Sequence, residues 1–299
     1  MSKKSTLPKV IIIVGPTASG KSALAIKLAK KFNGEVVSAD SRQVYRGLDI
    51  GTGKVTSKEM AGIPHHLLDV ASPKRTFTVA RYKHMAERAI KDILRRGKLP
   101  IICGGTGFYI QAVVDGLVLP EVPPNRTLRK SLKKKDATEL SVLLKKLDPA
   151  RWRSIDRKNP VRLIRAIEIA EAIGRVPKLK TVRPAYDALF IGVYPGGTAL
   201  KLNIKKRLDE RLRRGMIAEV RKLHARGLSW KRMEEMGLEY RYIARFLERT
   251  STRTQMKEIL YREIVKYSKR QMTWFKKDRR THWIAGLREA EFDVERFLS

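Results

Sequence analysis

The stretch VIIIVGPTASGKSALA, residues 10–25, decides the fold. An apolar run from Val10 to Val14 stops at Gly15, and Gly20-Lys21-Ser22 then opens a pattern that reads as a helix to Phe32. A short wholly apolar run is what a strand buried on both faces looks like. Gly15, Pro16, Thr17, Ala18, Ser19, Gly20, Lys21 and Ser22 match G-x-x-x-x-G-K-[ST]. Glycines let such a loop turn its amide N–H groups inward, the following helix adds partial positive charge, Lys21 adds a full one, and the Ser22 hydroxyl can help hold Mg²⁺. The stretch therefore predicts strand, phosphate cradle and helix in succession.

Working outward, GEVVSAD (34–40) reads as a second strand ending at Asp40, and TVARYKHMAERAIKDILRRG (78–97) as a helix stopped by Gly97. KLPIICGGTG (98–107) reads as a third strand running out into glycines. This alternation predicts an α/β protein: a P-loop NTPase-like parallel sheet core flanked by helices, with ligands at the C-terminal ends of the strands. The pattern changes near Asp115. A proline-marked linker, LPEVPPNR (119–126), leads into Arg- and Lys-rich helical periodicity over residues 126–175, and ALFIGVYP (188–195) restores a strand. The expected organisation is a core of residues 1–114 plus 188–299, interrupted by an all-helical basic domain over 115–187. From Leu200 to the end the pattern reads as helical.

The 299 residues carry 65 Lys and Arg against 30 Asp and Glu, a formal net charge of +35, with 42% hydrophobic residues. The hydrophobic content argues for a folded chain. The charge argues for an acidic partner, nucleic acid first, because each neutralised phosphate releases counterions. Cys103 is the single cysteine, which excludes a disulfide framework and a thiolate zinc site. The start MSKKSTLPK is basic, but the apolar run behind it is too short for a signal peptide or a membrane helix, so a cytoplasmic chain without membrane contact is expected.

The phosphate loop alone does not name its ligand. An ATP user usually adds an apolar strand ending in an Asp that orders Mg²⁺, whereas LPIICGG ends in glycines and only Asp40 and Asp69 offer themselves elsewhere. A bare pyrophosphate ligand needs only the first half of that machinery. Around the loop, Asp40, Ser41, Gln43 and Tyr45 cluster after the second strand, and Gln43 has the amide that pairs with an adenine edge. Thr106, in GGTGFY (104–109), ends another strand. PHHLLD (64–69) has adjacent histidines that point apart and lack a third ligand, so hydrogen bonding is expected there rather than a metal. Trp274 is expected to pack in the core.

Together with DIGTGK (49–54), VRLIRAIE (161–168), RLDERLRRGMIAEV (207–220) and KRQMTWF (269–275), these motifs resemble the tRNA dimethylallyltransferases, the bacterial tRNA isopentenyltransferase family. The resemblance runs in order from about residue 10 to 275. It implies transfer of a dimethylallyl group from dimethylallyl diphosphate to the exocyclic amine of the adenine 3′ of the anticodon, so that the loop grips a prenyl diphosphate. It implies Asp40 as the base, Thr106 as the group orienting the amine, and Lys21, the amides of Ala18 to Ser22, a Mg²⁺ held partly by Ser22, and Arg207 on the diphosphate. RNA contacts are implied at Asp40, Ser41, Arg42, Gln43 and Thr106, at Val161, Arg162, Leu163, Ile164 and Arg165, and at Arg129. The implied partners are the tRNA anticodon stem-loop and dimethylallyl diphosphate, the expected state a monomer. The chain departs from the family at EEMGLEYRYIARFL (234–247), which lacks the usual Gly-Tyr, and at Arg211, where many members carry Met. Three rivals remain: a small-molecule kinase, a prenyltransferase acting on free adenine nucleotides, and an RNA-binding protein with a relic loop.

Overall fold

The computed structural model describes residues 7–181 and 184–299; the first six residues of the basic start, and residues 182–183, lie outside the described residues. Two compact units emerge, residues 1–116 with 183–299, and residues 117–182.

The larger unit begins with β1 (Lys9–Val14), α1 (Lys21–Lys31), β2 (Gly34–Ser38), α2 (Ser57–Met60), β3 (His65–His66), α3 (Val79–Arg95), β4 (Leu99–Gly104) and α4 (Gly107–Val114). The smaller unit holds β5 (Leu117–Val118), α5 (Arg126–Leu132), α6 (Ala137–Leu147), α7 (Pro149–Ser154), α8 (Pro160–Ile173) and β6 (Lys180–Thr181). The chain resumes the larger unit with β7 (Asp187–Val193), α9 (Gly197–Arg213), α10 (Met216–Ala225), α11 (Trp230–Met236), α12 (Leu238–Leu247), α13 (Arg253–Phe275), β8 (Thr281–Ile284) and α14 (Leu287–Leu298).

Six strands form one sheet in the order β3-β2-β4-β1-β7-β8, and every pairing is parallel. β1 is central, which is why its run is apolar without alternation. Val10, Ile12 and Val14 join the core under α3, α4 and the C-terminal helices. Ile11 and Ile13 join the opposite core, under α1 and α14. The sheet is thus sandwiched, and the two faces share the strand residue by residue.

Two elements depart from the sequence reading. The C-terminal region is not wholly helical, because β8 adds a parallel edge strand to β7 with Phe190 opposite Thr281 and Val193 opposite Ile284. Four residues carry too little alternation to announce a strand. β3, two residues long, is similarly silent, and it holds His65 and His66.

The smaller unit folds around Leu132, Leu140, Leu144, Ile155, Leu163 and Ile167. A reciprocal cap between Asp136 and Glu139 starts α6, Asn159 caps α8 ahead of Pro160, and Gly174 ends α8 at φ +81°. A ladder of two residues per strand, Leu117 opposite Thr181 and Val118 opposite Lys180, joins the two ends of this otherwise helical unit. Among the described residues no helix is long and apolar enough to cross a membrane.

Candidate active site

The C-terminal ends of β1, β2 and β4 open into a cavity of about 390 Å³ in the larger unit. Thr17, Lys21, Ser22, Asp40, Ser41, Arg42 and Gln43 line it from the strand ends, Arg207 and Arg211 from α9, and Tyr267, Arg270 and Gln271 from α13.

The glycine loop is built as its sequence demands. A Cβ on Gly15, at φ +153°, would lie 2.5 Å from the Val193 carbonyl oxygen, so β7 leaves room only for glycine. Gly20 sits at φ +95° and starts α1, and Ala18 takes a left-handed φ of +63°, a conformation unusual outside glycine. Not every amide of the loop is available to a ligand. The Thr17 N–H donates to Gln271 Oε1 at 2.8 Å and the Ser19 N–H to the Pro16 carbonyl at 3.3 Å. Those of Ala18, Gly20, Lys21 and Ser22 have no backbone or side-chain acceptor among the described residues. The Ser19 hydroxyl is buried without a partner among the described residues.

Two cations face this loop. Among the described residues Lys21 Nζ donates only to the Pro16 carbonyl, at 3.2 Å; burial, with the neighbouring Arg207 charge in support, pushes its pKa below that of an ordinary lysine, and Asp40 opposes the shift. Arg207 has no hydrogen-bond or ion-pair acceptor for its guanidinium among the described residues, and burial, then Arg211, lowers its pKa. A buried cation without an anion is costly. Arg211, one helical turn on, is instead satisfied by the Gly51 carbonyl at 2.7 Å and Glu239 Oε1 at 2.9 Å.

Asp40 lies two residues beyond β2. Its Oδ1 accepts the N–H of Arg42 at 2.8 Å and of Gln43 at 3.3 Å, an Asx turn that leaves Oδ2 uncommitted among the described residues. Thr106 Oγ1 accepts the Ser41 N–H at 3.0 Å, so its own hydroxyl proton remains free to be donated. The Gln43 amide donates weakly to the Thr52 and Gly53 carbonyls, at 3.5 and 3.4 Å. Burial first, and Asp40 second, raise the Tyr267 phenol well above the usual value, so Tyr267 is a neutral donor on the cavity wall. Burial pushes the Cys103 thiol up to about 11.

The cavity therefore gathers Asp40, Lys21, Ser22 and Arg207, with Thr106 held against Ser41. Sequence reasoning missed Glu219 and Gln271. Glu219 takes the N–H groups of Asp49, Ile50 and Gly51 at 3.0, 2.6 and 3.0 Å and the Tyr240 hydroxyl at 2.9 Å, pinning the loop 49–53 on the cavity rim. Neither residue has a spacing signal, since each acts on backbone more than 160 residues away. Trp274 is not a core residue: it is 44% exposed, and its indole stands where a Cβ on Gly107 would come within 2.1 Å. The paired histidines hold no metal cluster among the described residues; His65 Nδ1 meets the Ile63 carbonyl and His66 Nε2 meets Glu35 at 2.7 Å.

The remaining expected RNA contacts belong to the smaller unit. Val161 is 77% exposed and Arg162 is exposed, but Leu163 and Ile164 are buried in that unit's core and their side chains cannot meet RNA. The turn of α8 that exposes Val161 and Arg162 turns Leu163 and Ile164 inward. Arg129 makes a two-pronged pair with the buried Glu168, at 2.8 and 2.6 Å, and Arg165 pairs with the same carboxylate and donates to the Val122 carbonyl at 2.9 Å. Burial alone would raise the Glu168 carboxyl, but Arg129, Arg165 and the Asn125 amide outweigh it and hold it below the usual value. Both arginines thus brace the fold of the unit.

The family model described as IPP transferase matches residues 43–278. The chain is 42% identical to tRNA dimethylallyltransferase 2 of Treponema denticola over 272 residues, covering 89% of this chain and 91% of that one. It is 41% identical to tRNA dimethylallyltransferase 2 of Trichlorobacter lovleyi over 288 residues, covering 95% and 94%. Among solved structures, the full-length tRNA isopentenylpyrophosphate transferase of Bacillus halodurans superposes with a TM-score of 0.73 at 34% identity, over 97% and 95% of the chains. A eukaryotic dimethylallyltransferase captured acting on tRNA superposes with a TM-score of 0.74 at 29% identity, over 89% of this chain and 69% of that one. The chain belongs to the tRNA dimethylallyltransferase family.

Proposed function

We propose that this enzyme transfers the dimethylallyl group of dimethylallyl diphosphate to the exocyclic amine of the adenine 3′ of the anticodon in tRNA, releasing diphosphate. The observation that carries the reading is the pairing, in one cavity, of two cations with no anionic partner among the described residues, Lys21 and Arg207, with a carboxylate, Asp40, whose Oδ2 is uncommitted among them. The adenine amine is a weak nucleophile because its lone pair is shared with the ring. As nitrogen bonds to the allylic carbon, the carbon–oxygen bond breaks and its electron pair leaves with the diphosphate. Asp40 Oδ2 takes the amine proton, and the Thr106 hydroxyl orients the base. Lys21, Arg207 and the free amides of Ala18 and Gly20 to Ser22 stabilise the charge growing on the leaving oxygen.

The residues also fit a Mg²⁺ ion. The Ser22 hydroxyl lines the cavity beside Lys21, while no cluster of three acidic, histidine or cysteine ligands exists among the described residues. Mg²⁺ suits such a sparse set, because it takes most of its octahedron from phosphate oxygens and water. When bound it supplies Lewis-acid neutralisation of the diphosphate.

The adenine must leave its stack to reach a pocket, at a cost of about a few kcal/mol. Phosphate contacts made by the basic surface offset that cost. The unit of residues 117–182, with 17 Lys and Arg against 7 Asp and Glu, is read as the inserted domain that grips the anticodon arm. Val161 and Arg162 remain as its proposed contacts. A tRNA substrate implies a cytoplasmic enzyme, and every group used here lies on one chain, so a monomer suffices.

The test mixes the protein, Mg²⁺, dimethylallyl diphosphate and an anticodon stem-loop RNA, and reads the digested nucleosides by mass spectrometry. The expected result is one dimethylallyl-adenosine per RNA. Equal prenylation of free AMP, or ATP hydrolysis with no change in RNA mass, overturns it.

A further inference from the structure

Gln271 joins the two halves of the cavity. Its side chain comes from α13, far from either half in sequence, and is 6% exposed. Oε1 accepts the Thr17 N–H at 2.8 Å, within the glycine loop. Nε2 donates to the Gly105 carbonyl at 2.9 Å, one residue before Thr106. Both ends of the amide are satisfied, which a buried glutamine requires.

The placement has a simple meaning in the sheet. β1 and β4 are parallel neighbours, paired as far as Val14 opposite Gly104. Beyond that pair the chains part, one into the glycine loop and the other toward Thr106. The Gln271 side chain carries the same donor and acceptor as a peptide group, and it supplies a rung where the ladder has none. The fit is close: a Cβ on Gly105 would lie 2.1 Å from Nε2, so Gly105 is small because Gln271 is there.

We propose that Gln271 is a positioning residue that sets the separation between the loop holding the diphosphate and the threonine orienting the amine. This rests on the prenyl-transfer reading above. Gln271 borders the cavity, but both ends of its amide are engaged by the protein's own backbone. It acts through Thr17 on one side and through Gly105 and Thr106 on the other. A misplacement of reacting groups by about 1 Å can cost about 10²-fold in rate, so the effect belongs in kcat more than in binding.

The test compares Gln271→Met, which keeps the length and loses both hydrogen bonds, with Gln271→Glu, which keeps the acceptor for Thr17 and loses the donor for Gly105. Steady-state kinetics, RNA affinity and thermal midpoint are measured for each, and for both combined with Thr106→Ala. Gln271→Met should lower kcat about 30- to 100-fold while the RNA dissociation constant stays within about twofold. Gln271→Glu should fall between it and wild type. If the residue acts through Thr106, Gln271→Met should cost much less in a Thr106→Ala background than alone. Fully additive losses, an unchanged kcat, or equal losses in rate and RNA affinity overturn the proposal. Failure of wild-type enzyme to prenylate the RNA would instead overturn the reaction on which it rests.

Discussion

At the scale of single residues, Asp40 and Arg207 should separate in the kinetics, because they meet different ends of the breaking bond. Asp40→Asn keeps an oxygen for the Arg42 and Gln43 amides but removes the proton acceptor. It should lower kcat by about 10² to 10⁴-fold with RNA affinity nearly unchanged; parallel losses in both would show that Asp40 binds rather than accepts a proton. Arg207→Ala should raise the KM for dimethylallyl diphosphate and lower kcat while leaving RNA binding in place, and unchanged donor kinetics would remove Arg207 from the diphosphate site. The fold should tolerate this change, since the Arg207 guanidinium donates to nothing within the described residues and its removal relieves a half-buried cation. Asp40 and Thr106 could be singled out in the sequence because each lies just beyond a strand of readable pattern, and Lys21 because the glycine-loop motif names it. Glu219 and Gln271 were not, because a side chain that binds distant backbone leaves no period or spacing. Leu163 and Ile164 show the opposite failure: a motif names a segment, and only the helical turn decides which of its members reach solvent.

At the scale of elements, the strand–loop–helix unit of residues 9–31 could be read directly because its signal is local and wholly apolar. β8 could not, being four residues whose partner β7 lies about 90 residues earlier. The elements at the sheet's far edge are tied by a buried carboxylate. Glu35, on β2 and 1% exposed, meets His66 of β3 at 2.7 Å and, past the end of α3, both Arg96 and Lys98, the latter at 2.8 Å. The Arg96 hydrogen bonds chiefly, with those of Lys98 and His66, outweigh burial and hold the Glu35 carboxyl far below its ordinary value of 4.5. A carboxylate depressed in the folded state gives stability that is complete above its unfolded pKa and is lost as pH falls through the folded one. Glu35→Gln should therefore lower stability at neutral pH by about 3 kcal/mol, the low end for a broken buried pair, since Arg96 and Lys98 keep 36% and 33% of their side-chain surface exposed. The variant should also lose less stability than wild type between about pH 5 and pH 2. Chemical denaturation across that range checks both; identical acid limbs would show that Glu35 is not the group titrating.

At the scale of the whole molecule, the surplus of 35 positive charges has to be compatible with a stable fold and serve a partner. Few of the ion pairs are shielded from water: Arg211 with Glu239 is one, at 10% and 12% side-chain exposure, whereas Lys31 with Glu295 is exposed at 41% and 54%. Exposed pairs contribute little each, so most of the cationic surface is uncompensated and repels itself. An RNA partner relieves that repulsion and releases counterions, which fixes the sign and size of the salt effect. With about six phosphates neutralised, affinity for the stem-loop should fall about 10³-fold between about 50 mM and 200 mM salt. Dimethylallyl diphosphate, bound in a cavity by Lys21, Arg207 and amides, should respond far less, because buried charges are poorly screened. Fluorescence anisotropy of labelled RNA across a salt series, beside donor KM values at saturating RNA, separates the two. A steep slope for RNA with a shallow one for the donor assigns the surface charge to tRNA and the cavity charge to the leaving group. Equal slopes would mean that the same cations hold both substrates, and a flat RNA response would mean that the net charge is not what binds it.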